Sequence, residues 1–479
     1  MRRQRLVLIG ALLLVAQPAL CRVWIRWTEP QIPSARSLGV SELVIPWSAD
    51  GASLIRAARR QGYRVFVETD AAHAAEAAAA NRQDSLAGII LDAPENALLP
   101  TAQNAAAARA AFDRLLSQLR ARFPAGSVRV VWPGGKQPQL RGTMVVARNG
   151  VLQVSSPTRQ PWIDSNVALS RFERAYDPDE TPLVEFQWEP VDSLEKQYGI
   201  PPEDYELAVA EAGAFRTDLI LPLAKPLQEG LAKSAPEAWK TWREIQRYLR
   251  FYEAPSELAP AALLSDVAVI ANDFNDSYEA VNLLARHNIS FRVAKPGELQ
   301  ARRLDSAAMW VIFGPLDPAA TSAVERYVDG GRTAVWVGQQ GSLPSARLLS
   351  KTADAAVYAL GKGKVVEIAP PIIDPEPFAR DVWRLLPAPE RELTLWNSLT
   401  VLAAAHQSSR GLSEQLDLVN YAREDLRAQV RIKGIFSRIE YATPESGCCV
   451  SLSAAREQGF TEFIVPKLRI GGRVQLTAP

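Results

Sequence analysis

Five acidic residues stand at the ends of short apolar segments in the first half of the chain, namely Glu29, Glu68, Asp92, Glu95 and Glu189. Two carboxyl groups that face one bond can cleave it: one protonates the leaving oxygen and the other attacks or activates water. A carboxylate after a strand can instead cap the next helix, and for Asp92 both interpretations stay open. Glu29 and Glu68 are expected to be supporting or surface groups.

Glu189 is a candidate for catalysis because it shares one face of an extended segment with Glu185 and Gln187. Polar side chains that point into a barrel need a function or a partner, since an unpaired buried carboxylate is costly. The alternative interpretation is a simple turn, because Pro190 follows directly.

Tryptophans recur at or near the ends of the same segments, at Trp27, Trp47, Trp132 and Trp188. Their rings can stack on the apolar faces of sugars, or they can pack in the core and rim as most large aromatic side chains do. Arg26 is a candidate partner for a carboxylated sugar. The three histidines and three cysteines form no cluster, so we predict no metal site. No glycine-rich stretch has the spacing of a phosphate-binding loop, and we predict no cofactor.

The elements that would position these residues alternate between strand and helix from residue 22 to residue 252. This alternation predicts a parallel sheet, and about eight strands in about 230 residues is the size of a (β/α)8 barrel. Catalytic residues of such barrels lie at the carboxyl ends of the strands. The sixth unit, between residues 142 and 166, reads more like a hairpin.

Two further domains are predicted after a linker rich in proline and alanine at residues 253–264. Residues 265–386 repeat the strand–helix alternation and predict a doubly wound, flavodoxin-like α/β domain. Residues 395–479 predict a β-sandwich, because short strands follow one another with turn residues between them. A helix is expected at the start of this last domain, from Leu395 to Gln407.

The first 21 residues have the pattern of a secretory signal peptide, with three arginines, an apolar run at residues 6–16 and a small-residue exit that ends at Cys21. The run is about 11 residues long, and a membrane span needs about 20. We therefore predict an exported protein, periplasmic or extracellular, without a membrane span; lipidation at Cys21 stays open. The 54 basic and 53 acidic residues nearly cancel, which gives no electrostatic reason to bind nucleic acid.

The order of barrel, doubly wound domain and sandwich resembles the bacterial β-galactosidases that have an amidotransferase-like, trimerisation-type middle domain, and related glycoside hydrolases. The resemblance rests on YVDGGRTAVWV at 327–337, GKGKVV at 361–366 and LDLVNY at 416–421. It implies a middle domain that supports a homo-oligomer. That domain is expected to be non-catalytic, because the turn after Phe313 has no nucleophilic cysteine.

In the family that the chain resembles, the acid/base and the nucleophile lie on the fourth and seventh strands. The resemblance therefore implies Asp92 or Glu95 as general acid and Glu189 as nucleophile or base. Two hypotheses follow. In the first, an exported glycoside hydrolase-like protein acts on an oligosaccharide or polysaccharide, with the four tryptophans as a stacking platform. In the second, a non-catalytic barrel binds glycan or assembles with partners. The absence of the family's Asn-Glu pair after the fourth strand favours the second.

Overall fold

The structure, a computed structural model, describes most of the chain after residue 20. The described ranges are 21–48, 51–94, 103–124, 126–132, 136–137, 145–148, 151–155, 165–188, 199–253, 262–272, 274–301, 304, 306–338, 343, 345–372, 374–396, 398–408, 413–447 and 449–479. No helix within these ranges is long and apolar enough to cross a membrane.

The first domain is built on an eight-stranded parallel sheet in the order β5-β4-β3-β2-β1-β10-β9-β6. Its strands are β1 Val23–Arg26, β2 Glu42–Pro46, β3 Arg64–Asp70, β4 Gly88–Asp92, β5 Val128–Val131, β6 Lys136–Gln137, β9 Leu183–Phe186 and β10 Asp218–Pro222. Seven of them, without the two-residue β6, curve into a nearly closed barrel. A separate antiparallel hairpin, β7 Val145–Arg148 with β8 Val151–Ser155, occupies the sixth unit, as its sequence pattern predicted.

Helices cover this sheet: α1 Ala35–Leu38, α2 Ala52–Arg60, α3 Ala74–Asp84, α4 Gln103–Arg120, α5 Val167–Tyr176, α6 Pro202–Phe215, α7 Lys225–Ala232 and α8 Pro236–Glu253. Inside the barrel, seven strands each contribute one side chain to a single apolar layer, made of Trp24, Val44, Phe66, Ile90, Val131, Leu183 and Ile220. The layer is a packed core, as is usual for small barrels. Gly88 is required beside it, because a Cβ there would lie 2.6 Å from a ring carbon of Phe66.

The middle domain holds a seven-stranded sheet in the order β13-β12-β14-β15-β18-β17-β16. Its strands are β12 Val267–Ile270, β13 Phe291–Ala294, β14 Met309–Phe313, β15 Thr333–Val337, β16 Arg347–Lys351, β17 Ala355–Leu360 and β18 Gly363–Ile368. The first five strands in this order are parallel, and they have the flavodoxin-like arrangement. Its helices are α9 Phe274–Arg286, α10 Pro318–Asp329 and α11 Pro375–Leu385, with 3-10 turns at Pro296–Ala301 and Ala388–Glu390.

The last domain is a sandwich of antiparallel sheets in the orders β11-β20-β21-β27-β23-β24 and β19-β22-β26-β25. Its strands are β11 Ala262–Leu263, β19 Leu393–Trp396, β20 Val401–Gln407, β21 Ser413–Asn420, β22 Leu426–Lys433, β23 Arg438–Ala442, β24 Val450–Ser451, β25 Ala454–Glu457, β26 Phe460–Leu468 and β27 Gly471–Thr477. The fold class predicted from the sequence is therefore confirmed.

The helix expected from Leu395 to Gln407 is wrong, because this segment forms β19 and β20 instead. Strand β20 pairs with β21 on one side and with the end of the linker, β11, on the other. Backbone pairing on both edges and burial of most of its side chains outweigh the helix propensity of three consecutive alanines.

Candidate functional site

Three charged side chains meet inside the barrel at the carboxyl ends of its strands, and we call them the mouth cluster: Arg26, Glu68 and Glu185. One terminal nitrogen of Arg26 lies 2.5 Å from Oε1 of Glu185, and the other donates a hydrogen bond to Oε1 of Glu68. Only 7% of Glu68 and 3% of Glu185 is exposed. The cluster therefore ties β1, β3 and β9 together across the mouth.

The period of two along a strand explains this convergence. Each charged residue lies two positions beyond a member of the apolar layer, as Arg26 does after Trp24 and Glu185 after Leu183. Asp92 has the same relation to Ile90 on β4. It is half-buried, so a fourth polar group belongs to the inner face at the same end of the barrel.

Burial alone would lower the pKa of Arg26, but its hydrogen bond to Glu185 and the charge of Glu68 raise the pKa overall. The guanidinium is therefore a fixed cation between two carboxylates. Gln187 adds a hydrogen bond from its Nε2 to Oε1 of Glu185 at 3.2 Å. With both glutamates ionised, the mouth cluster carries a net negative charge.

The shared guanidinium limits the distance between the two glutamates. Because each carboxylate accepts from a different nitrogen of one guanidinium, the bonded oxygens of Glu68 and Glu185 lie within about 8 Å of each other. Pairs of carboxyl groups in glycoside hydrolases are about 5–5.5 Å apart in retaining enzymes and about 6.5–9.5 Å apart in inverting ones.

A neighbouring carboxylate, Asp70, binds the turn that leads into α3. It is exposed at the end of β3 and lies opposite Asp92 in the sheet register. Its Oδ1 accepts hydrogen bonds from the backbone nitrogen and from Nδ1 of His73, at 2.9 and 2.8 Å. These contacts lower the pKa of Asp70. Because His73 directly precedes α3, the carboxylate of Asp70 orders the chain ahead of this helix.

The four tryptophans divide into two kinds of environment. Trp27 is fully buried, with its indole nitrogen 2.9 Å from the carbonyl oxygen of Glu29. Trp132 is 7% exposed and packs edge-on against Phe112. Neither offers a ring face to a ligand in this structure, so the platform of four tryptophans is not present here.

Trp47 and Trp188 are half-buried and retain some exposed surface. The backbone nitrogen of Trp47 donates to the carbonyl oxygen of Glu68 at 2.7 Å, which places it beside the mouth cluster. Trp188 follows Gln187, and its indole nitrogen lies 3.2 Å from Oδ2 of Asp204. Both rings pack against the same core as Trp27 and Trp132, and they differ from those two in the surface that they keep exposed.

Two predicted acidic residues, Glu95 and Glu189, lie outside the described residues. Glu29 is in the segment after β1, where its backbone nitrogen donates to Oε1 of Gln228 at 3.2 Å. Its carboxylate lies 3.9 Å from Nζ of Lys225, so it anchors this segment to α7. Sequence reasoning missed the pairing of Arg26 with Glu68 and Glu185; the period of two along each strand could have shown only that these side chains share the inner face.

Within the described part of the chain, no group of three or more His, Cys, Asp or Glu side chains could hold a metal ion. Of the cysteines in this part, Cys21 is buried and Cys449 is exposed.

Two solved structures share this architecture over nearly the whole chain. α-L-Fucosidase isoenzyme 2 from Paenibacillus thiaminolyticus superposes with a TM-score of 0.60 at 12% identity, over 96% of this chain and 99% of that one. A GH42 β-galactosidase from G. stearothermophilus gives a TM-score of 0.55 at 10% identity, over 97% and 100%. The chain has a glycoside hydrolase-like barrel. At these identities the likeness concerns the fold alone.

No protein-family model matches the chain, and no curated protein matches its sequence.

Proposed function

We propose that the chain acts on an oligosaccharide or polysaccharide at the barrel mouth, by glycoside hydrolysis. One observation carries this proposal: Arg26, Glu68 and Glu185 contact one another on the inner face of the barrel, and Asp92 belongs to the same face. They lie at the carboxyl ends of the strands, where barrels of this kind have their catalytic residues. The glycoside hydrolase-like fold agrees with this substrate class.

Asp92 is the proposed general acid, because it is half-buried at the end of β4 and can face both the ligand and the cluster. The proposed base or nucleophile is a glutamate of the segment that begins with β9, either Glu185 or Glu189. Glu185 is held in place by Arg26 and Gln187, and such preorganisation contributes to catalysis. Glu189 lies two positions beyond Gln187 in the sequence, on the face that an extended segment would turn inward. Trp47 and Trp188 are the proposed stacking residues.

A second function, glycan binding without cleavage, is supported by one specific observation. Arg26 already pairs with both buried glutamates of the cluster, an arrangement that would also hold a degenerate barrel together without taking part in any reaction. The lack of an Asn-Glu pair after β4 points the same way.

The deciding experiment measures reducing-sugar release by residues 22–479 on a panel of plant and microbial polysaccharides. Asp92→Asn, Glu185→Gln and Glu189→Gln are assayed in parallel, with Asp70→Asn as the matched control because Asp70 is an exposed strand-end carboxylate that is bonded to His73. Hydrolysis that falls at least 100-fold in Asp92→Asn and in one glutamate variant, but not in the control, supports the enzyme and identifies its base.

Sugar binding without release would overturn hydrolysis and leave the second function. In that case Trp47→Ala and Trp188→Ala should weaken binding. If the protein neither releases sugar from nor binds to any polysaccharide of the panel, both functions are contradicted.

We also propose that residues 1–21 direct export and that the middle domain is a non-catalytic, amidotransferase-like assembly domain. Support comes from the sequence pattern of the first segment and from the flavodoxin-like strand order of the second. Fractionation of cells that express the full chain tests export, and light scattering of the purified protein tests for an oligomer.

A further inference from the structure

A basic cavity of about 660 Å³ lies where the barrel domain, the middle domain and the sandwich meet. Helix α5 and the residues after α6 form one wall, the end of β13 and the turn after it form the second, and strands β11 and β20 form the third. The volume is within the range of about 300–1,000 Å³ that is typical of small-molecule sites.

The charges around this cavity are strongly unbalanced. Five basic side chains and one acidic side chain, Glu298, line it; the basic ones are Arg171, Arg174, Arg216, Arg292 and Lys295. With histidine neutral, the lining therefore has a net charge of +4. Positive charges this close together repel one another and favour a bound anion.

Two of the side chains that line the cavity have a buried polar atom with no hydrogen-bond partner among the described residues. Arg171 packs its guanidinium 4.0 Å above the ring of Phe291, and its buried Nη1 is unpartnered. His406 is 3% exposed, and its Nδ1 is likewise buried and unpartnered. Buried polar groups in native proteins usually have a partner, so these two side chains keep hydrogen-bonding capacity that the described residues do not use.

Other basic groups in the wall bond to backbone oxygens rather than to carboxylates. Arg174 donates to the carbonyl oxygen of Arg216 at 2.8 Å, and Lys295 donates to that of Tyr176 at 3.2 Å. No salt bridge of Arg171, Arg174 or Lys295 occurs within the described ranges.

Buried arginines elsewhere in the molecule have carboxylate partners. Arg129 lies 2.5 Å from Asp218, and Arg473 lies 2.8 Å from Asp417. Arg171 in the cavity wall therefore departs from the way in which these two buried arginines are neutralised.

The electrostatic environment shifts the pKa values of two lining groups. Burial and the charge of Arg174 lower the pKa of Arg171 to about 9. Burial and the charges of Arg216, Arg171 and Arg174 hold the pKa of His406 well below its usual value. A bound anion would relieve these penalties.

We propose that this cavity binds a small molecule that carries a multiply charged oxyanion group, such as a phosphate, a sulfate or a cluster of carboxylates. The arginine guanidinium matches such groups because its planar array of donors can form paired hydrogen bonds to two oxygens. A single carboxylate would leave most of the net charge uncompensated. The site does not involve the barrel mouth and does not depend on its function.

The first test is calorimetric titration of the full chain, in a low-salt chloride buffer, with inorganic phosphate, sulfate, citrate, glucose 6-phosphate and glucose. Glucose and glucose 6-phosphate differ only in the charged group, so they separate recognition of the anion from recognition of the sugar. Comparison with inorganic phosphate shows whether a free ion suffices. We expect saturable binding of at least one oxyanion and none of glucose.

The second test uses Arg174→Ala and Arg171→Met, with Arg347→Ala as the control because Arg347 is an exposed cation on β16, outside the cavity. Arg174 is exposed at one edge of the cavity, so its removal should leave the fold intact. We expect each cavity variant to bind at least tenfold more weakly and the control to bind as the native chain does.

A parallel measurement of Tm guards against misfolding of Arg171→Met. A ligand that binds only the folded state raises Tm in a saturable way. The proposal is overturned if no oxyanion binds, or if the anions raise Tm equally in all variants, which would be a general salt effect.

Discussion

Replacement of Arg26 by methionine tests whether the mouth cluster holds the barrel together. The substitution keeps much of the side-chain volume and removes the cation that pairs with both Glu68 and Glu185. Both carboxylates would stay in a place where less than a tenth of either residue is exposed. Removing one partner of a buried ion pair costs about 3–5 kcal/mol.

A second estimate of the loss in the free energy of unfolding gives a similar range. Two charge-assisted hydrogen bonds would be lost, and each contributes about 1.5–3 kcal/mol. We therefore expect Arg26→Met to lower the free energy of unfolding by about 3–5 kcal/mol at pH 8. Because the penalty comes from ionised carboxylates, protonation relieves it, and the difference from the native chain should shrink as the pH falls from 8 to 5.

Urea denaturation at several pH values, followed by circular dichroism, measures this effect. Arg26→Met combined with Glu68→Gln and Glu185→Gln is the internal control, because neutral side chains remove the unpaired charges and should recover much of the stability. A loss below about 1 kcal/mol, the size typical of exposed pairs, would refute the reasoning. So would a loss that does not change with pH.

Three further predictions concern stability. Burial raises the pKa of Glu173 to about 8, so the free energy of unfolding of the native chain should fall as the pH rises from about 4.5 to 8, by at most about 5 kcal/mol. Glu173→Gln should remove this pH dependence, which urea denaturation at pH 5, 7 and 9 measures. Gly213→Ala should lower Tm, because a Cβ at this position would lie 2.1 Å from a ring carbon of Tyr252 and such overpacking costs about 1–3 kcal/mol. The same substitution at a helical position with free space around it would raise the stability. Asn288→Ala should lower Tm by removing hydrogen bonds of 2.8 and 2.9 Å to the backbone of β20, at a cost of about 1–3 kcal/mol.

The barrel strands were predictable because each carries a strong local signal. Apolar segments alternate with helical stretches between residues 22 and 252, and β1–β5, β9 and β10 all lie in this region and alternate with helices. The mouth cluster was harder to predict, since it joins residues that are 42 and 159 positions apart. Which strands become neighbours across a barrel depends on closure of the whole sheet, and no local pattern encodes that.

The tryptophans show how a pattern visible in the sequence can be overlooked. Trp24 and Arg26 face the barrel interior, so the period of two places Trp27 on the opposite side of the sheet, against the helices. Trp132 follows inward-facing Val131 in the same way. Position at a strand end therefore predicts closeness to the mouth but not exposure, and the parity along the strand decides which face a ring occupies.

Helix α5 is the element that connects the two candidate sites. Its residue Glu173 is buried against the barrel, where the backbone of Leu183 on β9 and the charge of Arg129 act on its carboxylate. Arg171, only two positions away, lies on another face of the helix and stacks on Phe291 of the middle domain. The strand that Glu173 contacts continues to Glu185 in the mouth cluster.

An anion in the basic cavity would hold one face of α5, while the other face packs on a strand that carries a proposed catalytic group. If the two faces act independently, the effects of Arg171→Met and Glu173→Gln on the free energy of unfolding should add to within about 0.5 kcal/mol. A larger interaction energy, present with phosphate and absent without it, would show that ligand binding in the cavity is felt at the barrel wall.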